Sequence, residues 1–503
     1  MLVAHTHHNI LPRQNLMPLS TAQWKQDSES GCIILEAIED SCRIILNQVP
    51  AGISLKQLHM KKKLLVTVVS VFIAVVTVAQ SQVNQFPYTI RLESMEVIDM
   101  PALQSYAYAT WQGKWLLVGG RNDGLHRRQP WATFDEEGQN KHIYVVDPVK
   151  KQVWKQSLEG LPAAIAEQFQ STNMEFWQSG NRLILTGGYG YSETADDHIT
   201  FPFLAVIQVD ELITAIVHKK SIHNTVVQIR DERMAVTGGR LAKLGDTLLL
   251  AGGQRFDGRY NPHGPDHGPG FIQEYTNEIR KFTIEYNNDT PAVKNYSAEK
   301  DSINLHRRDY NLVPQVFKNA ELGYTMFSGV FQYKEDVPFT GFVDIVGGSY
   351  KVNNRFMQKF SHYHSAVMPM YDKTAGSVYT VFFGGIARYY PGKNGKTVNN
   401  KDVPFTKTIS VIIRKGDKVN EIYLPLQMPG YLGAAAEFIF MPETNMFKEG
   451  IADAGSLKKE ETLIGYIAGG INSSAGNIFW DNTGKESKAS SKIIKVFIRK
   501  TGR

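Results

Sequence analysis

A short apolar segment that ends in a pair of small residues recurs six times along this chain of 503 residues. Each copy has about four apolar residues followed by two glycines, except that the fourth copy has Ser328 before Gly329. The first residue of each pair lies at position 119, 187, 252, 328, 384 or 469, so the copies are 56 to 85 residues apart. A recurrence on this scale predicts one structural unit repeated six times.

Around each pair, apolar residues alternate with polar ones or form short β-branched runs, which is typical of strands. In the first unit these segments are 104–111, 114–120 and 142–147. Helical periodicity is weak throughout, so we expect an all-β fold. Repeated four-stranded sheets of this size close into a propeller, and glycine permits close backbone approach where strands crowd near the axis. The sequence therefore predicts a six-bladed β-propeller over residues 81–503.

The ends of the chain suggest how the ring closes. The last unit ends with the segment from Lys492 to Arg499, which we interpret as its third strand. We expect its missing outer strand to come from the segment between Tyr88 and Ile98, so that the N-terminal and C-terminal strands pair.

The repeat resembles that of the kelch family, which combines an apolar strand, two glycines and later aromatic residues such as Tyr144 and Trp154. Its spacings exceed the usual kelch period of about 50 residues. The family includes the exported, six-bladed N-acetylneuraminate epimerases, and the likeness to them is one of fold. It also includes the galactose oxidases, whose copper site needs a tyrosine crosslinked to cysteine. Residues 81–503 contain no cysteine, so this site is excluded and no cofactor is predicted.

The segment 60–80 has the pattern of a secretory signal peptide. Met60 is followed by three lysines, an apolar run from Leu64 to Val78, and small residues. This run is shorter than the ~20 residues of a membrane span. We therefore expect export to the periplasm or the medium of a bacterium, although an uncleaved signal anchor is an alternative. Residues 1–59 are interpreted as a mis-assigned or disordered leader, the alternative being a genuine cytoplasmic extension.

Charge and motifs exclude several function classes. No basic run is interleaved with aromatic residues, so nucleic-acid binding is not expected. The chain lacks the Gly-x-Ser-x-Gly, phosphate-loop and His-Glu-x-x-His patterns of common hydrolases and nucleotide enzymes. We expect a monomer without a stable membrane span.

Candidate binding residues lie in the loops that follow the glycine pairs and at the start of each entering strand. These segments share one face of a propeller because the two strands are antiparallel, and long loops on a rigid scaffold often carry function. Arginine suits carboxylates, although an ion-pair network within the protein is an equal alternative. The pair His362 and His364 could bind a metal if a third ligand were present; a hydrogen-bonded channel lining is the alternative. The candidates are Arg121, His126, Arg255, His306, Arg307, Arg308, Asp309, His362, His364, Arg388 and Tyr389.

Two functions fit this pattern. The first is a module that binds a carbohydrate or a protein ligand at the channel mouth. The second is a mutarotase or epimerase that acts on a free sugar such as a sialic acid, with a histidine or acid as proton shuttle; its catalytic residues are not assigned. An enzyme predicts that His306, His362 or His364 lies beside a carboxylate or an arginine in a concave pocket. A binding module predicts a shallow face with exposed aromatic residues.

Overall fold

The computed structural model describes residues 86–448, 450–480 and 482–501, so the predicted leader and signal peptide lie outside the described residues. Within the described part, six antiparallel sheets of four principal strands follow one another along the chain. We number them as blades 1 to 6 and give their strands from the axis outward. Blade 1 consists of Ala107–Trp111, Lys114–Val118, His142–Asp147 and Gln152–Ser157. Blade 2 consists of Thr172–Ser179, Arg182–Ser192, Phe203–Gln208 and Val226–Arg230. Blade 3 consists of Arg240–Leu244, Thr247–Ala251, Glu278–Asn287 and Thr290–Lys300.

The second half of the ring repeats the same order. Blade 4 consists of Asn311–Val316, Leu322–Phe327, Phe342–Val346 and Ser349–Asn353. Blade 5 consists of Val367–Asp372, Ser377–Phe383, Thr408–Lys415 and Lys418–Gln427. Blade 6 consists of Ala436–Phe440, Thr462–Gly469, Ile493–Lys500 and Tyr88–Met95. Short strands extend some blades or form hairpins in the loops. They are Asp197–Thr200, Gln254–Gly258, Phe271–Tyr275, Tyr389–Pro391, Thr397–Asn399, Met446–Lys448, Ile451–Asp453, Ile471–Ser473 and Ser487–Ala489.

The outer strand of blade 6 confirms the predicted closure of the ring. Tyr88–Met95 pairs antiparallel with Ile493–Lys500, from Tyr88 opposite Lys500 to Met95 opposite Ile493. The Tyr88 hydroxyl also donates to the backbone oxygen of Ala454 at 3.0 Å. The two ends of the described chain therefore belong to one sheet.

The second strand of each blade explains the recurring apolar segment. Ser377–Phe383 is buried at all seven positions, because it lies between two strands of its own sheet and between neighbouring blades. A strand covered on both faces appears in a sequence as an unbroken apolar run. The pair of small residues follows the apolar part of this strand in every blade, although in blade 2 the strand Arg182–Ser192 continues past its two glycines.

The glycine pairs join neighbouring blades. Gly187 has a φ of +64°, and a Cβ atom there would lie 1.8 Å from the backbone oxygen of Val236 in the next blade. Gly188 N–H donates to that same oxygen at 2.9 Å. Equivalent hydrogen bonds occur at the other five junctions, donated by the backbone N–H of Gly120, Gly253, Gly329, Gly385 and Gly470. In the fourth pair, Ser328 adopts the same backbone region, with a φ of 54°.

Two short α-helices, α1 (Ala163–Gln170) and α2 (Val209–Val217), depart from the all-strand expectation. α2 has two acidic residues in its first turn, which suit the helix dipole, and buries Leu212 and Ile216 against the core between blades 1 and 2. Nine residues are too few for a clear helical period in the sequence. Single 3-10 turns occur at Pro130–Ala132, Glu136–Gly138, His223–Thr225, Glu232–Met234, Lys318–Ala320 and Ala454–Ser456. Among the described residues, no helix is both long enough and apolar enough to cross a bilayer.

Candidate functional site

A ring of six backbone hydrogen bonds surrounds the propeller axis, with one residue from the entering segment of each blade. Each residue donates its N–H to the carbonyl oxygen of the residue from the preceding blade, at 2.7 to 3.4 Å, and the sixth bond closes the circle. We call these residues the axial ring. In chain order they are Ser105, Asn173, Gly238, Asp309, His364 and Ala435.

Five of the six ring residues have a positive φ, and four of these five are not glycine. That backbone region is uncommon for residues with a side chain, although Asn and Asp tolerate it best. Strain of this kind persists where the surrounding structure enforces it, and it is frequent at functional sites. The neighbouring blades enforce it here through the hydrogen bonds of the ring.

A cavity of about 400 Å³ lies over the axial ring. All six ring residues line it, together with residues from the loops that follow the glycine pairs. The starts of the entering strands and the post-glycine loops therefore meet on one face, as the strand directions predicted.

Arg308 and Asp309 form the main charged group of the cavity. The Arg308 guanidinium donates to the Asp309 carboxylate and, through Nε, to the Tyr275 hydroxyl at 3.1 Å. The guanidinium carbon lies 5.2 Å from the centre of the Phe331 ring. Contacts on three sides thus fix its orientation, which is the condition for directional hydrogen bonding to a ligand.

His364 lies beside a carboxylate that the sequence analysis missed. Its Nε2 is 3.0 Å from Oε1 of Glu437, which belongs to the inner strand of blade 6. Burial, followed by the positive charge of Arg240, lowers the pKa of His364, and Glu437 only partly opposes this. The imidazole is therefore neutral at pH 7. The Asn311 side chain fixes the backbone on both sides of it, donating to Tyr363 O and accepting from Ser365 N–H, each at 3.1 Å.

Two further ionisable side chains of the inner strands were also missed. Glu175 is fully buried and accepts a hydrogen bond from Gly239 N–H at 2.8 Å. Burial raises its pKa well above the usual value. Arg240 donates through Nε to the backbone oxygen of Tyr310 at 3.3 Å. In the sequence, the only signal for Glu175 and Arg240 was that a charged residue type occurs within an inner strand.

An aromatic wall forms another part of the cavity lining. His126 and Tyr260 meet edge to face with their centres 4.7 Å apart, and Phe134 contacts Tyr189 in the same manner at 5.2 Å. Phe256 continues the wall at 5.4 Å from Tyr189. Burial lowers the pKa of His126 to about 4, so this imidazole is a neutral part of the wall.

Five of the eleven predicted residues line the cavity, namely Arg121, His126, Arg308, Asp309 and His364. Arg121 is almost fully buried, and its guanidinium donates to the Asp123 carboxylate at 2.6 and 2.8 Å. The cavity lining does not include the other six, which are Arg255, His306, Arg307, His362, Arg388 and Tyr389.

The contacts of three of these six explain their positions. Arg307 is fully buried, and its guanidinium donates only to backbone oxygens, those of Asn304, Ser328 and Gly341, at 2.7 to 2.9 Å. Arg255 forms ion pairs at 2.7 and 3.1 Å with two neighbouring carboxylates. His306 stacks on Tyr275 with the ring centres 3.7 Å apart. These side chains hold the loops in place from behind the cavity.

His362 and His364 both lie outside the strands, and only His364 lines the cavity. His362 is fully buried, and both of its ring nitrogens are engaged: Nδ1 accepts from Arg388 N–H at 3.0 Å, and Nε2 lies 3.1 Å from Gln358 O. No group of three or more His, Cys, Asp or Glu side chains arranged to hold a metal was found among the described residues.

Comparisons with known proteins add little to this description. No protein-family model matches the sequence, and no curated protein matches it. Among solved structures, that of YjhT is similar with a TM-score of 0.38 and 11% sequence identity, over 64% of this chain and 84% of that one.

Proposed function

We propose that this protein binds a small carbohydrate in the cavity over the axial ring. The observation that carries the proposal is the composition of that cavity, whose lining combines an aromatic wall with a group of fixed polar side chains. Its volume of about 400 Å³ falls within the ~300–1,000 Å³ typical of small-molecule sites. A concave site of this size favours a small ligand over a protein partner.

The chemistry of a sugar fits both parts of the cavity lining. A pyranose ring has an apolar face of C–H groups and a rim of hydroxyl groups. Tyr260 and Phe134 offer aromatic surface to the former, while Arg308 and Asp309 offer one donor and one acceptor to the latter. Aromatic surface combined with a few oriented polar groups is the usual composition of such pockets.

The family and the location remain part of this proposal. The six-bladed ring and the paired glycines support membership of the kelch family. The basic and apolar pattern of residues 60–80 supports export. Sequencing the N-terminus of protein recovered from the periplasm or medium tests the export, and a start near residue 80 is the expected result.

Carbohydrate binding is tested with a glycan array, followed by calorimetric titration of the selected glycan. Arg308→Gln should weaken binding at least tenfold, because a hydrogen bond to a charged group contributes about 1.5–3 kcal/mol. Arg91→Gln is the matched control, since Arg91 lies in an exposed ion pair on the outer strand of blade 6. Equal affinities for both variants, or no glycan bound by the wild type, would contradict the proposal.

A second candidate function, sugar mutarotation or epimerisation, is favoured by His364, which lines the concave cavity and lies 3.0 Å from Oε1 of Glu437. In mutarotation, a base removes the proton of the anomeric hydroxyl while the bond from the anomeric carbon to the ring oxygen breaks and an acid protonates that oxygen. Neutral His364 can be the base, with its Nε2 oriented by Glu437, and water can be the acid. After rotation about the bond between C1 and C2 the ring closes by the reverse steps, and both protons return to their donors.

The enzyme is tested by following the anomerisation rate of the bound sugar by NMR. His364→Gln should abolish the acceleration without changing the binding constant more than severalfold, whereas His142→Gln, a change on the third strand of blade 1, should have no effect. Because the pKa of His364 is lowered, the base form persists below pH 6.5 and the wild-type rate should fall only at still lower pH. If the wild type binds the sugar but does not accelerate its anomerisation, the enzyme hypothesis is wrong and the binding function stands.

A further inference from the structure

Trp480 combines two properties that bear on ligand binding. It lies on the loop after Gly470 and lines the cavity, yet it is 64% exposed. An exposed indole at the edge of a cavity offers aromatic surface outside the cavity itself. The proposed function gives no role to this surface.

The indole is held from two sides by residues of other blades. The Arg128 guanidinium carbon, on the blade 1 loop, lies 4.5 Å from the centre of the Trp480 ring. Trp480 Nε1–H donates to Asp402 Oδ1, on the blade 5 loop, at 3.3 Å. One position of the ring is thus favoured before any ligand arrives, which lowers the entropic cost of binding to it.

The loop that carries Arg128 is tied to the Trp480 loop independently of the two side chains. Arg128 N–H donates to Asn482 O at 3.0 Å, and the Asn482 side chain donates to His126 O at 2.6 Å. His126 is itself part of the aromatic wall. Among the described residues, no carboxylate forms an ion pair with Arg128, so its charge is free to support the ring. The residues that hold Trp480 are therefore connected to the aromatic wall of the cavity.

We propose that Trp480, held between Arg128 and Asp402, is a stacking platform for a second sugar residue, and that the ligand is an oligosaccharide whose terminal residue enters the cavity. This inference rests on the proposed function. The cavity binds the first residue, and the chain continues outward across the indole. A free monosaccharide would leave the exposed part of the Trp480 indole without a ligand contact.

The experiment is a calorimetric titration of the protein with a matched series of one to four residues of the sugar that the array selects. Wild-type affinity should rise at least fivefold from the monosaccharide to the disaccharide. Trp480→Ala should reduce this gain to less than twofold, because the second sugar residue then loses its aromatic contact. Trp480→Phe should keep part of the gain.

Trp131→Ala is the matched control, since Trp131 is 70% exposed on the blade 1 loop but does not line the cavity. It should leave the whole series unchanged. The inference is overturned if the monosaccharide binds as tightly as the longer ligands, or if Trp480→Ala weakens all ligands equally. The proposed function survives either of these results. If the wild type binds no sugar of any length, both proposals are wrong.

Discussion

The junction between blades 2 and 3 offers a direct test of how the paired glycines build the ring. Replacing Gly187 by alanine places a Cβ atom 1.8 Å from Val236 O, the oxygen that accepts the inter-blade hydrogen bond from Gly188. The neighbouring blade must move away, because the obstacle is backbone rather than a flexible side chain. The substitution therefore combines three costs: backbone strain, a steric displacement and a weakened hydrogen bond.

Each cost has a typical size. A positive φ costs an L-residue about 1–2 kcal/mol, overpacking costs about 1–3 kcal/mol, and a lost hydrogen bond costs about 1 kcal/mol. Alanine also stabilises by about 0.4–1 kcal/mol through the unfolded chain. We expect Gly187→Ala to lower the free energy of unfolding by about 3–5 kcal/mol.

Gly180→Ala is the matched control in the same blade. Gly180 has a φ of +60°, and an added Cβ there meets no atom within 4 Å. It should therefore show the backbone strain alone, about 1 kcal/mol. Urea denaturation followed by circular dichroism measures both variants against the wild type. If Gly187→Ala and Gly180→Ala destabilise the protein by equal amounts, the reasoning about the junction is wrong.

Three further predictions concern buried polar groups. Burial lowers the pKa of His362 to about 4, below its unfolded value of about 6.5. The free energy of unfolding should therefore fall by up to about 3 kcal/mol as pH decreases from 6.5 to 4. Denaturation curves of His362→Gln across that range should show a smaller decrease. Asp344→Ala should cost about 3–5 kcal/mol, since it leaves Arg414 buried without its partner at 2.7 Å, and replacing both residues by leucine should recover much of this loss. Arg307→Lys should lower the melting temperature by several degrees, because an ammonium group cannot reach all the backbone oxygens that the guanidinium satisfies; an unchanged melting temperature would contradict that role.

The fold was largely predictable because its signal is repeated. Six apolar strands with terminal glycines identify the second strand of each blade, and the pairing of Tyr88–Met95 with Ile493–Lys500 follows from the missing outer strand of the last unit. The extra strand pair in blade 5 was not predicted. Ile451–Asp453 pairs parallel with the inner strand of that blade through only two residues, and so short a contact leaves no periodicity in the sequence.

The candidate site was predictable only in part, because loop residues adjacent in sequence can face opposite ways. Arg307 and Arg308 illustrate this: the first is buried against backbone oxygens, while the second lines the cavity. Glu437 was missed because it lies within a strand and its importance depends on His364 of another blade. Such contacts arise from the packing of neighbouring blades, which here brings together residues 73 positions apart.

A crystal structure of the protein with the array-selected glycan would test whether the cavity over the axial ring is the binding site. We expect a sugar ring over the axial ring, within hydrogen-bond distance of Arg308 or Asp309 and in contact with Tyr260. A glycan bound at the opposite end of the propeller or on the outer strands of the blades would contradict it.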